Sequence, residues 1–319
     1  MGRGRWSGCC RRGCFVRSVA EHRPAIIINP MSGAAARRGD DRLKAEMAVA
    51  QLQARGLVGE VFVTEHQGHA RELASGAVRR GATVVVAWGG DGTMNEVASA
   101  LIGTQTVLAL IPNGSGNGLA RELGVPLRTE AAWALAFEGR DRRIDTATLD
   151  SIPFVNVAGI GLDARVAHRF AARGHRRRGL LGYIDAAVRE LMIPETEVRT
   201  LRTPDAVLTG CYVMVALANS RQYGNGAVVA PEARLDDGLL DVVAIDARSV
   251  AALAWQARRL FTGTLAQAPG VHALQVSWLE VEGETPMVCH VDGEPLPGRR
   301  RARVRVLPAS LSVRGSVNH

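Results

Sequence analysis

Ala82-Thr83-Val84-Val85-Val86-Ala87-Trp88, running directly into Gly89-Gly90-Asp91-Gly92-Thr93-Met94-Asn95-Glu96, decides the fold. The first run is apolar and β-branched and reads as a buried strand. Glycines then let the backbone turn tightly and approach an anion. Glu96-Val97-Ala98-Ser99-Ala100-Leu101-Ile102 reads as the start of a helix after a loop over 89–95. A strand, a glycine-rich turn and a helix N-terminus make a phosphate cradle, because unpaired N–H groups and the helix dipole favour negative charge. The spacing matches neither the P-loop nor the dinucleotide fingerprint. No lysine stands near the turn, and an acid, Asp91, stands inside it. A carboxylate beside phosphates is repulsive unless it holds a metal or accepts a proton. The loop therefore points to phosphoryl transfer more than to passive nucleotide binding.

Outward from this loop, strand and helix alternate. Strands are expected at 25–30, 61–64, 83–88 and 107–111, and helices at 40–55 and 69–80. A second glycine-rich turn, Asn113-Gly114-Ser115-Gly116-Asn117-Gly118, precedes a short helix over 119–123. This alternation predicts a parallel sheet with helices on both faces, and ligands bind where such strands end. From about Ile144 short strand-like runs dominate: 154–157, 212–216, 240–245, 277–281, 287–291 and 302–307. They read as a mainly β second domain, sandwich-like, with helical insertions at 163–193 and 248–264. The expected organisation is a basic leader over 1–23, an α/β nucleotide-binding domain over 24–143 and a β-rich acceptor domain over 144–312. The last strand has the option of returning to the first domain.

The chain has 319 residues and a formal charge of +8, which suits anionic membranes or phosphate-rich ligands. Nucleic acid is not expected, since aromatics are only 4% and stacking platforms need them. Nearly all the positive charge is arginine, with Lys44 the single lysine. The cysteines, Cys9, Cys10, Cys14, Cys211 and Cys289, are odd in number and lack partners for a zinc site, which fits a reducing cytoplasm. No apolar run approaches the ~20 residues of a membrane span, so contact with a membrane would be peripheral. Arg165, His168, Arg169, Arg173 and His175 to Arg178, followed by Leu180-Leu181 and Tyr183-Ile184, suit an anionic bilayer surface or a solvated loop.

Seven motifs in order resemble the diacylglycerol kinase catalytic-domain family, which includes bacterial lipid kinases and sphingosine kinases. They are Asn29-Pro30-x-Ser32-Gly33; Thr64 with Gly68-His69-Ala70; the loop from Gly89 to Glu96; Pro112-x-Gly114-Ser115-Gly116-Asn117; Gly159-x-Gly161-x-Asp163; Asp236 to Asp241; and Asp292-Gly293-Glu294-Pro295-Leu296. The resemblance implies phosphorylation of a lipid hydroxyl by ATP with Mg2+, at an active site in the cleft between the two domains. On it, Asn29, Ser32, Gly33, Thr64, Gly89, Gly90, Asp91, Gly92, Thr93, Asn95, Glu96, Gly114, Ser115 and Asn117 surround the nucleotide. Asp292 is the first candidate for general base and Asp91 its rival, with Glu294 assisting. Asp237, with carbonyls near Arg234 and Leu239, would hold a structural Mg2+, a donor set suited to a hard cation. Asp163 would meet the acceptor headgroup, and Arg121 or Arg221 would steady the transferring charge. Gly118 stands where many bacterial relatives carry Asp, and the acceptor is not readable. The partner expected is a lipid acceptor at an anionic membrane surface, with a homodimer left open. The competing readings are an NAD-kinase-like enzyme and a non-catalytic nucleotide- or lipid-binding regulator.

Overall fold

A computed structural model describes residues 23–33, 40–172, 189–190, 198–223 and 226–316. The first half alternates as the pattern requires: β1 Pro24–Ile28, α1 Asp40–Ala54, β2 Glu60–Val63, α2 His69–Arg79, β3 Val84–Gly89, α3 Asp91–Leu101, β4 Val107–Pro112, α4 Gly118–Glu122 and α5 Thr129–Glu138. Every residue of β1, β3 and β4 is buried. Continuous apolar strands of this kind belong in a parallel sheet covered on both faces. These strands do run parallel, in the order β2-β1-β3-β4.

The second half is β-rich: β5 Arg140–Leu149, β6 Ile152–Phe154, β7 Val157–Gly161, α6 Leu162–Ala172, β8 Arg199–Arg202, β9 Val207–Gly210, β10 Tyr212–Ala218, β11 Leu240–Asp246, α7 Val250–Ala257, β12 Val271–Val276, β13 Trp278–Val291 and β14 Glu294–Gly315. The strands join one sheet in the order β12-β11-β10-β7-β13-β14-β4-β3-β1-β2, with β5–β6 and β8–β9 branching from β14 and β13. It curls so that Phe154, Ile160, Val215, Val242, Val281 and Val304 share a single core, giving a sandwich-like body. β14 couples the halves. It pairs antiparallel with β13 and β5, then ends parallel to β4 at Ser312 and Val313. A register shift between Leu307 and Leu311, with Ala309 at φ 45°, re-aims the strand from one half to the other.

Several expectations change. Helix α3 begins at Asp91, not at Glu96, because Gly90 is already the extended N-cap. An acid in a first turn complements the helix dipole, so Asp91 belongs to the helix and not to a loop. The runs at 277–281 and 287–291 are one strand, β13, with register shifts between Glu282 and Cys289. Charge hid β5 (RDRRIDTATL) and β8 (RTLR), whose partners lie far away in sequence. Helix α5 and strands β9 and β12 are further elements that periodicity did not disclose. The leader apart from Arg23, and the basic run from Arg173 to Arg178, lie outside the described residues.

Candidate active site

The loops leaving β1, β2, β3 and β4 meet at the carboxyl ends of these strands. Gly90 and Gly114 pass backbone to backbone: a Cβ on Gly114 would lie 2.7 Å from the Gly90 Cα. Only hydrogen fits as a side chain at such a crossing. Asn117, at φ 53°, closes its loop by accepting Gly114 N–H at 2.9 Å and donating to Gly114 O at 2.8 Å. Ser115 is exposed at the tip. Asp91 accepts Asn117 N–H at 2.8 Å and Gly118 N–H at 2.6 Å, which satisfies donors that the start of α4 leaves unpaired. Gly118 is explained by the same contact, since an acid there would face the Asp91 carboxylate, 3.7 Å from its Cβ position. Both Asp91 oxygens thus hold backbone, so its placement favours organising the two glycine loops over abstracting a proton.

The neighbouring loops are fixed to this pair. Asn29 donates to Thr93 Oγ1 at 2.9 Å. Asn113 donates to Ser32 O and Oγ at 3.1 and 3.2 Å, against Gly33 at φ 105°. Lys44, the single lysine, donates to Asn29 O, Pro30 O and Ser32 O at 3.4, 3.3 and 3.1 Å, a clamp that motif reading missed. Thr64 N–H donates to Ile28 O at 2.9 Å, which sets Thr64 at the end of β2. Glu96 accepts Gly68 and Ala70 N–H at 2.8 and 3.1 Å and so holds the start of α2. Asn95 Oδ1 is buried without a hydrogen-bond partner.

The β-rich half contributes one turn, between β13 and β14. Asp292 takes φ 45°, and its carboxylate accepts Val155, Asn156 and Val157 N–H at 2.8, 2.8 and 3.0 Å. Burial pushes this carboxyl above the usual range, while the amides and the nearby His290 pull the other way. Glu294 reaches across to the first half: Oε2 accepts Gln67 Nε2 at 3.0 Å, and Oε1 lies 3.5 Å from the Cβ position of Gly92. Behind the turn, His290 Nδ1 accepts Gly293 N–H at 3.2 Å, which leaves the ring proton on Nε2, 3.3 Å from Asp163 Oδ2. Tyr223 donates to the same oxygen at 2.9 Å, and Asp163 Oδ1 accepts Ala164 N–H at 2.8 Å. Asp163 is only 4% exposed, and both of its oxygens are engaged, Oδ2 with His290 and Tyr223 and Oδ1 with Ala164 N–H.

The other charges are also engaged. Arg121 donates to Gly116 O at 3.0 Å, beside the second glycine loop, whereas Arg221 pairs with buried Glu122 at 2.8 Å. Arg165 and Arg169 pair with buried Glu190, so these two members of the basic run face protein. At the Asp236–Asp241 segment, Asp237 accepts Leu239 N–H at 3.0 Å, and Arg234 pairs with Asp236 at 3.3 Å. The segment is anchored by Asp145, which accepts Gly238 N–H at 2.7 Å and Ala309 N–H at 2.6 Å. Burial, with Asp237 and Glu232 nearby, pushes Asp241 up to about 6. This concentration of acid fits a hard cation held by Asp237 and neighbouring carbonyls. Among the described residues, His66, His69 and Glu72 form a second cluster of metal-ligating side chains. There His69 Nδ1 accepts Glu65 N–H at 3.1 Å, which keeps the proton on Nε2 and opposes ligation through that atom.

Residues 23–149 match the diacylglycerol kinase catalytic domain, and residues 156–315 match the YegS C-terminal NAD kinase beta sandwich-like domain. The chain belongs to this family of lipid kinases. A Pectobacterium atrosepticum protein named "Probable lipid kinase YegS-like" is 32% identical, with 91% of this chain and 94% of that relative covered. A Stenotrophomonas maltophilia protein of the same name is 31% identical over 90% and 94%. Two solved Bacillus anthracis structures share the fold. One has a TM-score of 0.75 at 21% identity, covering 93% of this chain and 96% of its own. The other, described as a diacylglycerol kinase, has 0.69 at 17%, covering 93% and 97%.

Proposed function

We propose that this kinase transfers the γ-phosphate of ATP, bound with Mg2+, to the hydroxyl of a lipid at a membrane surface. The observation that carries the reading is the approach of Glu294 to the first turn of α3, 3.5 Å from the Gly92 Cβ position. It brings the Asp292-Gly293-Glu294 turn of one half against the phosphate cradle of the other. When bound, Mg2+ would supply charge neutralisation between nucleotide oxygens and the protein. The residues fit a nucleotide, because the crossing of Gly90 and Gly114 leaves no side chain between backbone and ligand and α3 presents its N-terminus there.

Positioning and electrostatics carry most of phosphoryl-transfer catalysis. Gly89, Gly90, Gly92, Thr93, Gly114 and Ser115 would cradle phosphates, with Asn29, Ser32, Gly33 and Thr64 beside them. Asn117, Asp91 and Glu96 fix these loops, and Asn95 would stand with them near the nucleotide. Asp292 is the proposed base. Its three amide bonds use three of the about four acceptor positions of a carboxylate, leaving one on Oδ2 for the acceptor hydroxyl. Burial raises its pKa, which makes the carboxylate a stronger proton acceptor than an ordinary Asp. Glu294 would assist through metal or water, and Asp237 with the Arg234 and Leu239 carbonyls would hold a structural cation. Diacylglycerol or a long-chain lipid alcohol is the proposed acceptor, met by a cytoplasmic protein associating peripherally with the bilayer.

The test is transfer of labelled γ-phosphate from ATP to dispersed diacylglycerol, monoacylglycerol, sphingosine, ceramide and undecaprenol, with NAD as a control acceptor. A labelled lipid, lost in Asp292→Asn, is expected. Labelled NAD would establish the NAD-kinase-like reading. ATP binding without any transfer would establish a regulator.

A further inference from the structure

We infer that the solvent face of α7 and the 3-10 turn after it, Arg258–Phe261, is the surface that docks this kinase on an anionic lipid bilayer. The inference rests on the lipid kinase reading for its biological sense, not for its geometry. Helix α7, VAALAWQA, turns only Leu253 and Gln256 into the fold. Its exposed positions, Val250, Ala251, Ala254 and Trp255, lie together on one side and are all apolar, and Arg258 follows at the C-cap on the same side as Ala251, Ala254 and Trp255 (i, i+3, i+4, i+7). Trp255 is 51% exposed, Phe261 54% and Val250 41%. A soluble helix ordinarily places charge on this face.

The charge around the stripe selects the occupant. No Asp or Glu occurs between Asp246 and Glu280, while Arg248, Arg258 and Arg259 do. Asp246 is engaged by Arg248 at 3.8 Å and by His272 Nε2 at 2.9 Å. Arg259 lies over the Trp255 ring at 4.5 Å from its centroid, and its NH1 donates to Thr264 O at 3.2 Å. Aromatic side chains flanked by arginine, on a chain segment that carries no acid between Asp246 and Glu280, match the interface of an anionic bilayer. A protein partner of ordinary mixed charge gains nothing from the missing acids.

The patch is also tied to the candidate active site. Val228 N–H donates to Leu260 O at 2.7 Å, joining the 3-10 turn to the segment that carries Arg221 and Tyr223. Tyr223 holds Asp163 through its hydroxyl, and its carbonyl lies 3.5 Å from the Cβ position of Gly118. Contact with lipid at α7 therefore bears on a segment that borders the cleft.

The experiment is co-sedimentation of the full chain with vesicles of 30 mol% phosphatidylglycerol in phosphatidylcholine, beside pure phosphatidylcholine. Wild type, Trp255→Ser/Phe261→Ser and Arg258→Gln/Arg259→Gln are compared. Phosphate transfer to a short-chain acceptor below its micelle concentration is measured in parallel. Wild type is expected on the anionic vesicles only, with partitioning at least about tenfold weaker in either double variant. Transfer to the dispersed acceptor stays at the wild-type rate. Unchanged sedimentation of both variants overturns the inference and leaves the kinase reading intact. Absence of transfer by wild type, with sedimentation lost in the variants, removes the kinase reading and leaves the surface. A dimer in light scattering that Trp255→Ser/Phe261→Ser dissociates, with no vesicle binding by wild type, assigns the face to a second copy and overturns the inference.

Discussion

The two halves of the cleft are built in opposite ways. In the α/β half the site is backbone: Gly90 and Gly114 cross so closely that a Cβ on Gly114 would lie 2.7 Å from the Gly90 Cα, and one acid, Asp91, bonds amides 26 and 27 residues away. In the β-rich half the site is one side chain at the end of a long strand, Asp292, bonded to amides 135 to 137 residues away. Each half sets a carboxylate on backbone N–H groups, yet the first uses it to join two neighbouring loops and the second to seat a turn brought from the other end of the chain. A site made from local backbone survives in the sequence as a spacing of glycines. A site made from distant contacts survives only as a short motif whose use is undecided.

Substitutions can break this contrast, and the largest effect is expected at Asp292. If Asp292 is the base, Asp292→Asn lowers kcat by about 10^3 with ATP binding retained, read by phosphate transfer and nucleotide titration. A fall of tenfold or less would leave Asp292 a seat for the turn and nothing more. Asp91→Asn sharpens the same comparison. It replaces an acceptor by a donor facing Gly118 or Asn117 N–H, so it should cost about 1–2 kcal/mol in chemical denaturation and raise the KM for ATP more than it lowers kcat. A kcat loss as deep as that of Asp292→Asn would exchange their roles.

Gly114→Ala tests the backbone crossing directly. Its Cβ would meet the Gly90 Cα at 2.7 Å, so about 1–3 kcal/mol of stability should be lost together with ATP affinity. Wild-type behaviour would show that the loops separate without cost.

The smallest effect is expected at Asp241, pushed up from 3.8 to about 6. A raised carboxyl contributes stability that is present below about pH 4 and lost as pH rises to about 6. Without divalent cations the melting temperature should therefore decline across that window. Asp241→Asn should remove about 1–2 kcal/mol of the decline, a figure reduced because the carboxyl is only partly buried. Mg2+ at pH 7 should raise the melting temperature of wild type more than that of the variant. Identical melting curves with and without Mg2+ would remove the proposed cation from this segment.

The sequence by itself determined the α/β alternation, because continuous apolar runs such as Val84–Trp88 leave a strand nowhere to go but the middle of a covered sheet. It also determined that the Gly89–Thr93 and Gly114–Asn117 loops would lie together at strand ends, since a parallel sheet puts all those ends on one side. The family motifs carried Asp292 and Glu294 to the cleft as candidates. Tertiary structure alone decided how they are used. It set Asp145 across the Asp237 segment, buried Asp163 against His290 and Tyr223, and gave Lys44 three carbonyls to hold. It also ran one strand, β14, through both halves. None of these leaves a local signature, because the energy of each comes from partners distant in the chain, and periodicity reports only on neighbours. The exposed Trp255 face shows the same limit, since an apolar helix reads as core until the fold reveals which side was left uncovered.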